Sequence, residues 1–211
     1  MKNRIFNLII LDESGSMESI KAAALNSINE SLQSIRRAQA TYENQEHYVS
    51  VITFNDEVRT LFDCVHVDTV NDLDLKSYNP DCCTALYDAM GRSLNRLRRN
   101  VNRGDKVLVT IITDGYENAS KEYNAKSIKS LVESLKSKGW VFAYMGANQD
   151  AEQVGAALSI GNTLNFEASE YGTKEMSVKM KKGRDKMFCC IAKDVFSPDE
   201  ANWNFFKDIG L

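Results

Sequence analysis

The sequence has few of the features that mark several large classes of protein. It contains two prolines in 211 residues and no glycine- or serine-rich tract, so nothing in it indicates a flexible linker. No apolar run approaches the roughly 20 residues that a membrane-spanning helix needs. The 26 basic and 29 acidic side chains nearly balance, which gives no support to nucleic acid or anionic lipid as the main partner. We expect one α/β domain over residues 1–211, without membrane or nucleic-acid contacts.

The cysteines indicate a reducing environment. They are Cys64, Cys82, Cys83, Cys189 and Cys190. Their odd number, with two adjacent pairs and no C-x-x-C spacing, is typical neither of a disulfide framework nor of a zinc site. The start, MKNRIFNLIIL, is similar to a signal peptide, but it is interrupted by Asn7, runs into Asp12 and has no small-residue cleavage site. We therefore predict a cytoplasmic protein with free thiols.

The stretch FNLIILDESGSM, from Phe6 to Met17, joins an apolar strand to an acidic turn. Its apolar run is too short for a core helix and predicts a strand buried on both faces. Asp12, Ser14 and Ser16 alternate in the turn, so their oxygens can converge on one point. Such oxygens suit Mg²⁺ first and Mn²⁺ or Ca²⁺ next, rather than Zn²⁺. The alternative is that Ser14 or Ser16 caps the following helix.

A second apolar strand, residues 106–113, repeats this pattern by ending in Asp114-Gly115. Sites in open α/β sheets form outside the carboxyl ends of strands, so we expect Asp12 and Asp114 to face one crevice. Thr84 opens a helix that carries Leu86 and Met90 at helical spacing. Its hydroxyl can either cap that helix or face a metal ion.

The other elements follow from periodicity and turn signals. We predict helices over residues 18–40, 121–138, 154–158 and 170–187, strands over 48–54, 58–67, 140–145 and 162–166, and a last helix with Ser197 as cap, Pro198 at its first position and Glu200 completing a capping box. The predicted core spans residues 5–166, with the helical segment 167–211 packed on it. Arg92, Arg96, Arg99 and Arg103 recur at helical spacing, which predicts a solvated helix face.

The turn at Asp12, the threonine at position 84 and the Asp114 turn, in this order, resemble the metal-ion-dependent adhesion site of the von Willebrand factor type A family. That site has the pattern D-x-S-x-S followed by Thr and Asp. The resemblance implies a doubly wound, mainly parallel sheet with one antiparallel edge strand and helices on both faces. It also implies a metal site. Its residues would be Asp12, Ser14, Ser16, Thr84 and Asp114, the two acids acting mainly through bound waters.

The family is known for metal-dependent protein binding, so the resemblance implies a protein partner whose Asp or Glu carboxylate completes the coordination of the cation. We expect a rim on the same edge to set specificity. The predicted rim is Met17, Glu18, Tyr116, Glu117 and Gln149. One departure concerns the residue before Thr84, where members usually carry glycine and this chain has Cys83 after Cys82. We expect that loop to bend differently here.

Two enzyme classes fit the sequence poorly. Phosphatases of the haloacid dehalogenase type need a second Asp two residues after the first, where this chain has Ser14. A serine hydrolase needs a G-x-S-x-G elbow and a paired histidine, and neither His47 nor His66 has a marked partner. We therefore expect a binding protein that is not an enzyme. The first alternative is a metal-independent scaffold with a vestigial site, and a metal-dependent phosphatase or hydrolase is the less favoured one.

The cysteine pattern generates a first prediction. Thiol labelling of the denatured, unreduced protein should find all five cysteines reactive, because none is expected to form a disulfide. Labelling after reduction is the control and should give the same count. A gain of thiols on reduction would contradict the prediction.

Overall fold

The computed structural model describes residues 2–197 and 204–206. Six strands of this part form one sheet: β1 (Asn3–Asp12), β2 (Gln45–Phe54), β3 (Val58–His66), β4 (Lys106–Thr113), β5 (Trp140–Ala147) and β6 (Asn162–Phe166). The α-helices of this part are α1 (Lys21–Thr41), α2 (Leu86–Leu97), α3 (Ala125–Lys136), α4 (Ala151–Ala157) and α5 (Glu170–Ala192). None of these helices combines the length and the apolar character that crossing a bilayer requires.

The order of the strands, β3-β2-β1-β4-β5-β6, places the two most apolar strands side by side. β1 pairs in parallel with both β2 and β4, and β3 is an antiparallel edge strand paired with β2. The predicted doubly wound fold is therefore confirmed. Because the strand order reverses between β1 and β4, a crevice lies at their carboxyl ends. The register, with Leu11 opposite Ile112, brings Asp12 level with Thr113.

Helices cover both faces of the sheet because successive residues of β1 point to opposite sides. Ile9 belongs to the core cluster beneath α1 and α5, whereas Ile10 belongs to the cluster beneath α2 and α3. From Ile5 to Asp12, residues on both faces of β1 are thus removed from water. This double burial explains why β1 and β4 read as continuous apolar runs.

Helix α5 packs along α1. Ser177 Oγ donates to a Glu30 carboxylate oxygen, and the Gln45 amide donates to the Phe188 carbonyl at 2.7 Å. Met176, Met180 and Met187 of α5 are all buried in the core cluster. The start signal of the predicted last helix, Pro198 to Glu200, lies outside the described residues.

The start of helix α3 differs from the sequence prediction. α3 begins at Ala125 rather than near residue 121, because the Asp88 carboxylate accepts the backbone N–H groups of residues 121–123 and holds them outside the helix. Asn124 then starts the helix through a capping box with Ser127.

The predicted stripe of four arginines on one helix is also wrong in part. α2 ends at Leu97, so Arg99 and Arg103 lie beyond it. Arg92 and Arg96, which are on the helix, pair with Glu122 at 2.7 Å and Asp63 at 2.8 Å. The four side chains therefore do not form one face.

The buried sheet generates a stability prediction from a matched pair of leucines. Leu108 on β4 is 1% exposed, whereas Leu75 is 55% exposed. Leu108→Ala should lower the free energy of unfolding by about 2–5 kcal/mol, since it removes buried methyl groups and leaves a cavity. Leu75→Ala should change it by less than about 0.5 kcal/mol. Urea unfolding measures both, and equal losses would contradict the placement of β4 in the core.

Candidate metal centre

The turn after β1 is built by the side chain of Asp12. Its Oδ1 accepts a hydrogen bond from the Ser14 backbone N–H at 2.8 Å. The Ser14 carbonyl accepts from the Met17 N–H at 3.0 Å and so starts a short 3-10 segment, Gly15–Ile20. The Asp12 carbonyl is held by the Tyr78 hydroxyl at 2.6 Å. The backbone is thus fixed from two sides, and the hydroxyls of the turn project beyond the strand.

Hydrogen bonds connect this turn to the end of β4. Thr113 Oγ1 donates to Asp12 Oδ2 at 2.5 Å, and Ser16 Oγ donates to Asp114 Oδ1 at 2.5 Å. The Ser14 and Ser16 hydroxyls lie 3.3 Å apart. Four of the five predicted ligands are therefore joined in one network of oxygens.

Thr84 approaches the same network from the loop before α2. A Cβ atom built on Gly115 would lie 3.0 Å from Thr84 Oγ1 and 3.8 Å from Asp12 Oδ2, so these oxygens border one small space. The helix cap is Ala85, and the first N–H groups of α2 donate not to Thr84 but to Glu117, from Tyr87, and to Ser120, from Asp88. The capping role that the sequence left open for the Thr84 hydroxyl is therefore wrong.

The backbone of Thr84 is braced against the loop that follows Asp114. Its N–H donates to Asn118 Oδ1 at 2.9 Å, and its carbonyl accepts from the Asn118 N–H at 3.0 Å. The loop before it does bend unusually, but at Cys82, whose φ of 65° lies in the left-handed region. The Cys82 carbonyl accepts from the Gly15 N–H at 3.2 Å, which ties this loop to the first turn.

Two supporting residues were missed by sequence reasoning. Thr113 contacts Asp12 directly, and its polar side chain at the end of an apolar strand was the available signal. Glu13 is buried and forms an ion pair with Arg59 of β3, N to O 2.5 Å. It also accepts from the Asn79 N–H at 2.5 Å. Because Arg59 is 46 residues away in the sequence, no local pattern predicted this pair.

Both aspartates carry a raised pKa. Burial, opposed by the hydrogen bonds from Thr113 and Ser14 and assisted slightly by the charge of Asp114, raises the pKa of Asp12 from 3.8 to about 6. Burial likewise raises the pKa of Asp114, while the bond from Ser16 lowers it. A cation placed beside these two carboxylates would oppose this effect of burial and favour the charged form of each acid.

The donor set fits a hard divalent cation. It comprises two carboxylates and three hydroxyls, and the small space in front of Gly115 borders oxygens of both kinds. Within the described part of the chain, no three or more His, Cys, Asp and Glu side chains gather in a metal-binding group. Oxygen ligands of low total charge suit Mg²⁺ better than Zn²⁺.

The predicted rim is only partly present. Glu18 is exposed, Tyr116 is 59% exposed, and the half-buried Gln149 reaches the Gly115 carbonyl at 3.5 Å. Met17 is wrong as a rim residue, because the 3-10 segment turns it into the core at 0% exposure. The Glu117 carboxylate is half-buried and holds backbone N–H groups instead. Its partners are the N–H groups of Tyr87, Ala119 and Ser120.

Comparison with known proteins gives a match over most of the chain. The family model of the von Willebrand factor type A domain matches residues 8–179. No curated protein matches the chain.

Three solved structures illustrate the likeness. A von Willebrand factor type A protein from Catenulispora acidiphila has a TM-score of 0.61 and 13% identity, over 84% of this chain and 42% of that one. Proximal thread matrix protein 1 from the mussel byssus, with a zinc-occupied MIDAS motif, has a TM-score of 0.56 and 14% identity, over 83% of this chain and 44% of that one. The pilus adhesin SpaC from Lactobacillus rhamnosus GG has a TM-score of 0.60 and 13% identity, over 86% of this chain and 30% of that one. The chain spans less than half of each, and at these identities the likeness is one of fold.

The raised pKa of Asp12 generates a pH prediction for the protein in EDTA. The Asp12 carboxyl stays protonated up to about pH 6 in the folded state but only up to pH 3.8 in the unfolded state. The stability that Asp12 contributes is therefore fully present below pH 3.8 and is lost as the pH rises to about 6. One pKa unit corresponds to about 1.36 kcal/mol, so across this pH range the free energy of unfolding of Asp12→Asn should rise by on the order of 3 kcal/mol relative to that of wild type.

Urea unfolding at a series of pH values measures this difference. Asp194→Asn, at an exposed position, is the matched control and should stay within about 0.5 kcal/mol of wild type. An Asp12→Asn difference that is independent of pH would contradict the burial of a charged carboxylate at the end of β1.

Proposed function

Since the chain belongs to the von Willebrand factor type A family, we propose that it binds a protein partner through a divalent cation held by Asp12, Ser14, Ser16, Thr84 and Asp114. An Asp or Glu carboxylate of the partner completes the coordination. Mg²⁺ is the proposed ion, with Mn²⁺ or Ca²⁺ as substitutes. The observation that carries the proposal is the oxygen network that joins the ends of β1 and β4.

Each residue has a role that its surroundings support. The three hydroxyls offer neutral oxygens, and the two aspartates offer negative charge. When bound, the cation supplies a positive centre that a carboxylate from outside can reach. Ser16 is exposed, whereas Asp12, Ser14 and Thr84 are buried, so the open side of the site lies at Ser16.

The rim that remains in the structure can select among partners. Glu18 is exposed directly after the turn and repels acids that are not aimed at the metal position. Tyr116 offers an exposed ring beside Asp114. A groove of about 740 Å³ begins at Glu18 and runs between the amino ends of α1 and α5, towards Lys174. Residues that flank the partner's acid can lie in it.

We also propose that the protein is not an enzyme. The described site offers hydroxyls and carboxylates that bond to one another, and His47, the buried histidine, bonds Gln45 within β2 rather than any of them. A reducing, cytoplasmic setting remains part of the proposal, and the five free cysteines support it. The second candidate function is the metal-independent scaffold, which the experiment below separates from the first.

A matched pair of serines tests metal binding. Ser16→Ala should weaken the affinity for Mg²⁺ by about tenfold or more, because it removes an oxygen that bonds Asp114. Ser19→Ala removes a hydroxyl of the same 3-10 segment that bonds only the Ser16 carbonyl in the described contacts, and should leave the affinity unchanged. Isothermal titration measures both. Equal affinities for the two variants would contradict the proposed ligand set.

Binding of a partner needs a second comparison. A partner captured from cell extract in Mg²⁺ should be lost in EDTA and with Ser16→Ala, and retained with Ser130→Ala, at an exposed position on α3 away from the groove. Changing the partner's essential acid to its amide should have the same effect as EDTA. If capture is equal in EDTA, the metal-independent scaffold replaces the adhesion mechanism.

A further inference from the structure

A second concave surface lies at the opposite edge of the sheet, where β4 and β5 begin. It is a groove of about 830 Å³ formed by residues 98–106, at the end of α2, and residues 135–140, at the end of α3. β4 is eight residues long, so at about 3.3 Å per residue roughly 25 Å separate this groove from the candidate metal centre. We call it the basic groove. Its cationic residues are Arg98, Arg99, Arg103, Lys106 and Lys138.

Four of these cations have no acidic partner among the residues that the structure describes. Arg98, Arg99, Arg103 and Lys138 are exposed, and none forms a salt bridge within residues 2–197 and 204–206. This differs from the arginines of α2 itself, which are paired. The acid of the groove, Asp105, faces Arg4 at 3.6 Å and accepts from the Asn102 N–H at 2.7 Å. Its charge is thus already offset.

This concentration of positive charge is unusual for a chain of net charge −3. Positive charges that line one concave surface strengthen one another's electric field and raise the local concentration of anions. The groove therefore favours an anion with several charges, since a single carboxylate or phosphate would neutralise only part of it.

We infer that the basic groove binds a short acidic segment, rich in Asp and Glu, of a protein partner. Guanidinium groups suit this ligand because they form two parallel hydrogen bonds with one carboxylate. Nucleic acid fits less well. Trp140, the aromatic residue of the lining, is 5% exposed and gives bases no ring on which to stack. A long polyanion would also extend from the groove over a surface that is acidic on balance.

The inference does not depend on the proposed function, because the two surfaces share no residue. It can be tested with a fluorescently labelled oligoglutamate peptide, by anisotropy, with EDTA present throughout. Under these conditions the carboxylates of the probe cannot be held through a cation at the other edge. Peptide binding in EDTA can therefore be observed even if the metal proposal is wrong. Absence of peptide binding would in turn leave the metal proposal unaffected.

The test variant is Arg99→Glu with Arg103→Glu. The matched control is Lys121→Glu with Lys126→Glu, two exposed charge reversals near the amino end of α3, which change the net charge by the same amount. The test variant should bind the peptide at least about tenfold more weakly, since attraction at two sites becomes repulsion. The control variant should bind much more tightly than the test variant. Binding should also weaken as salt is added. Circular dichroism melting checks that the variants fold.

Three results would overturn the inference. One is no measurable binding of the peptide to wild type at low salt. Another is an equal affinity of wild type and the folded test variant. The third is tighter binding of a single-stranded oligonucleotide of the same net charge, which would identify the groove as a nucleic-acid surface instead.

Discussion

The hydrogen bond from Thr113 to Asp12 is the contact on which the carboxyl edge of the sheet depends. It joins the last residues of β1 and β4, and it compensates in part for placing a carboxylate where water does not reach. The Ser14 N–H supplies the other compensation. The carboxylate is thereby held at a fixed position beside Asp114, although burial opposes its charge. A site that keeps a carboxylate buried despite this loss of hydration is already arranged to bind a positive ion.

The acids around this edge have separate roles, and this separation defines the site. Arg59 neutralises Glu13, and backbone N–H groups satisfy Asp88 and Glu117. These three hold the loops in place. Asp12 and Asp114 have hydroxyl partners but no cationic partner in the described contacts. The buried Asp12 and half-buried Asp114 carboxylates, without a cationic partner or several backbone N–H partners in the described contacts, therefore lie where a cation is proposed to bind, while the exposed Glu18 adds its charge at the rim.

The sequence predicted those parts of the structure that depend on local pattern. The ends of β1 and β4 could be predicted because an apolar run that stops at an acid is visible without a partner strand. Thr84 could not be resolved, since its role depends on Gly115, which is distant in sequence. Met17 was misplaced because a 3-10 turn, rather than an α-helix, sets its direction. The start of α3 shifted because Asp88 competes for its first N–H groups. For Thr84 and α3 a contact between distant residues decided the outcome, and for Met17 the local turn type did.

The parallel pairing of β1 with β4 has a mechanical consequence. The registered pairs from Ile5 to Leu11 run along the line between the two ends of the sheet. A force applied between the two ends would act along the strands and across their hydrogen bonds, so it would load the ladder in shear. All the bonds of a sheared ladder must yield together, whereas a peeled ladder yields one bond at a time. This domain is therefore expected to resist tension best along the direction of its central strands.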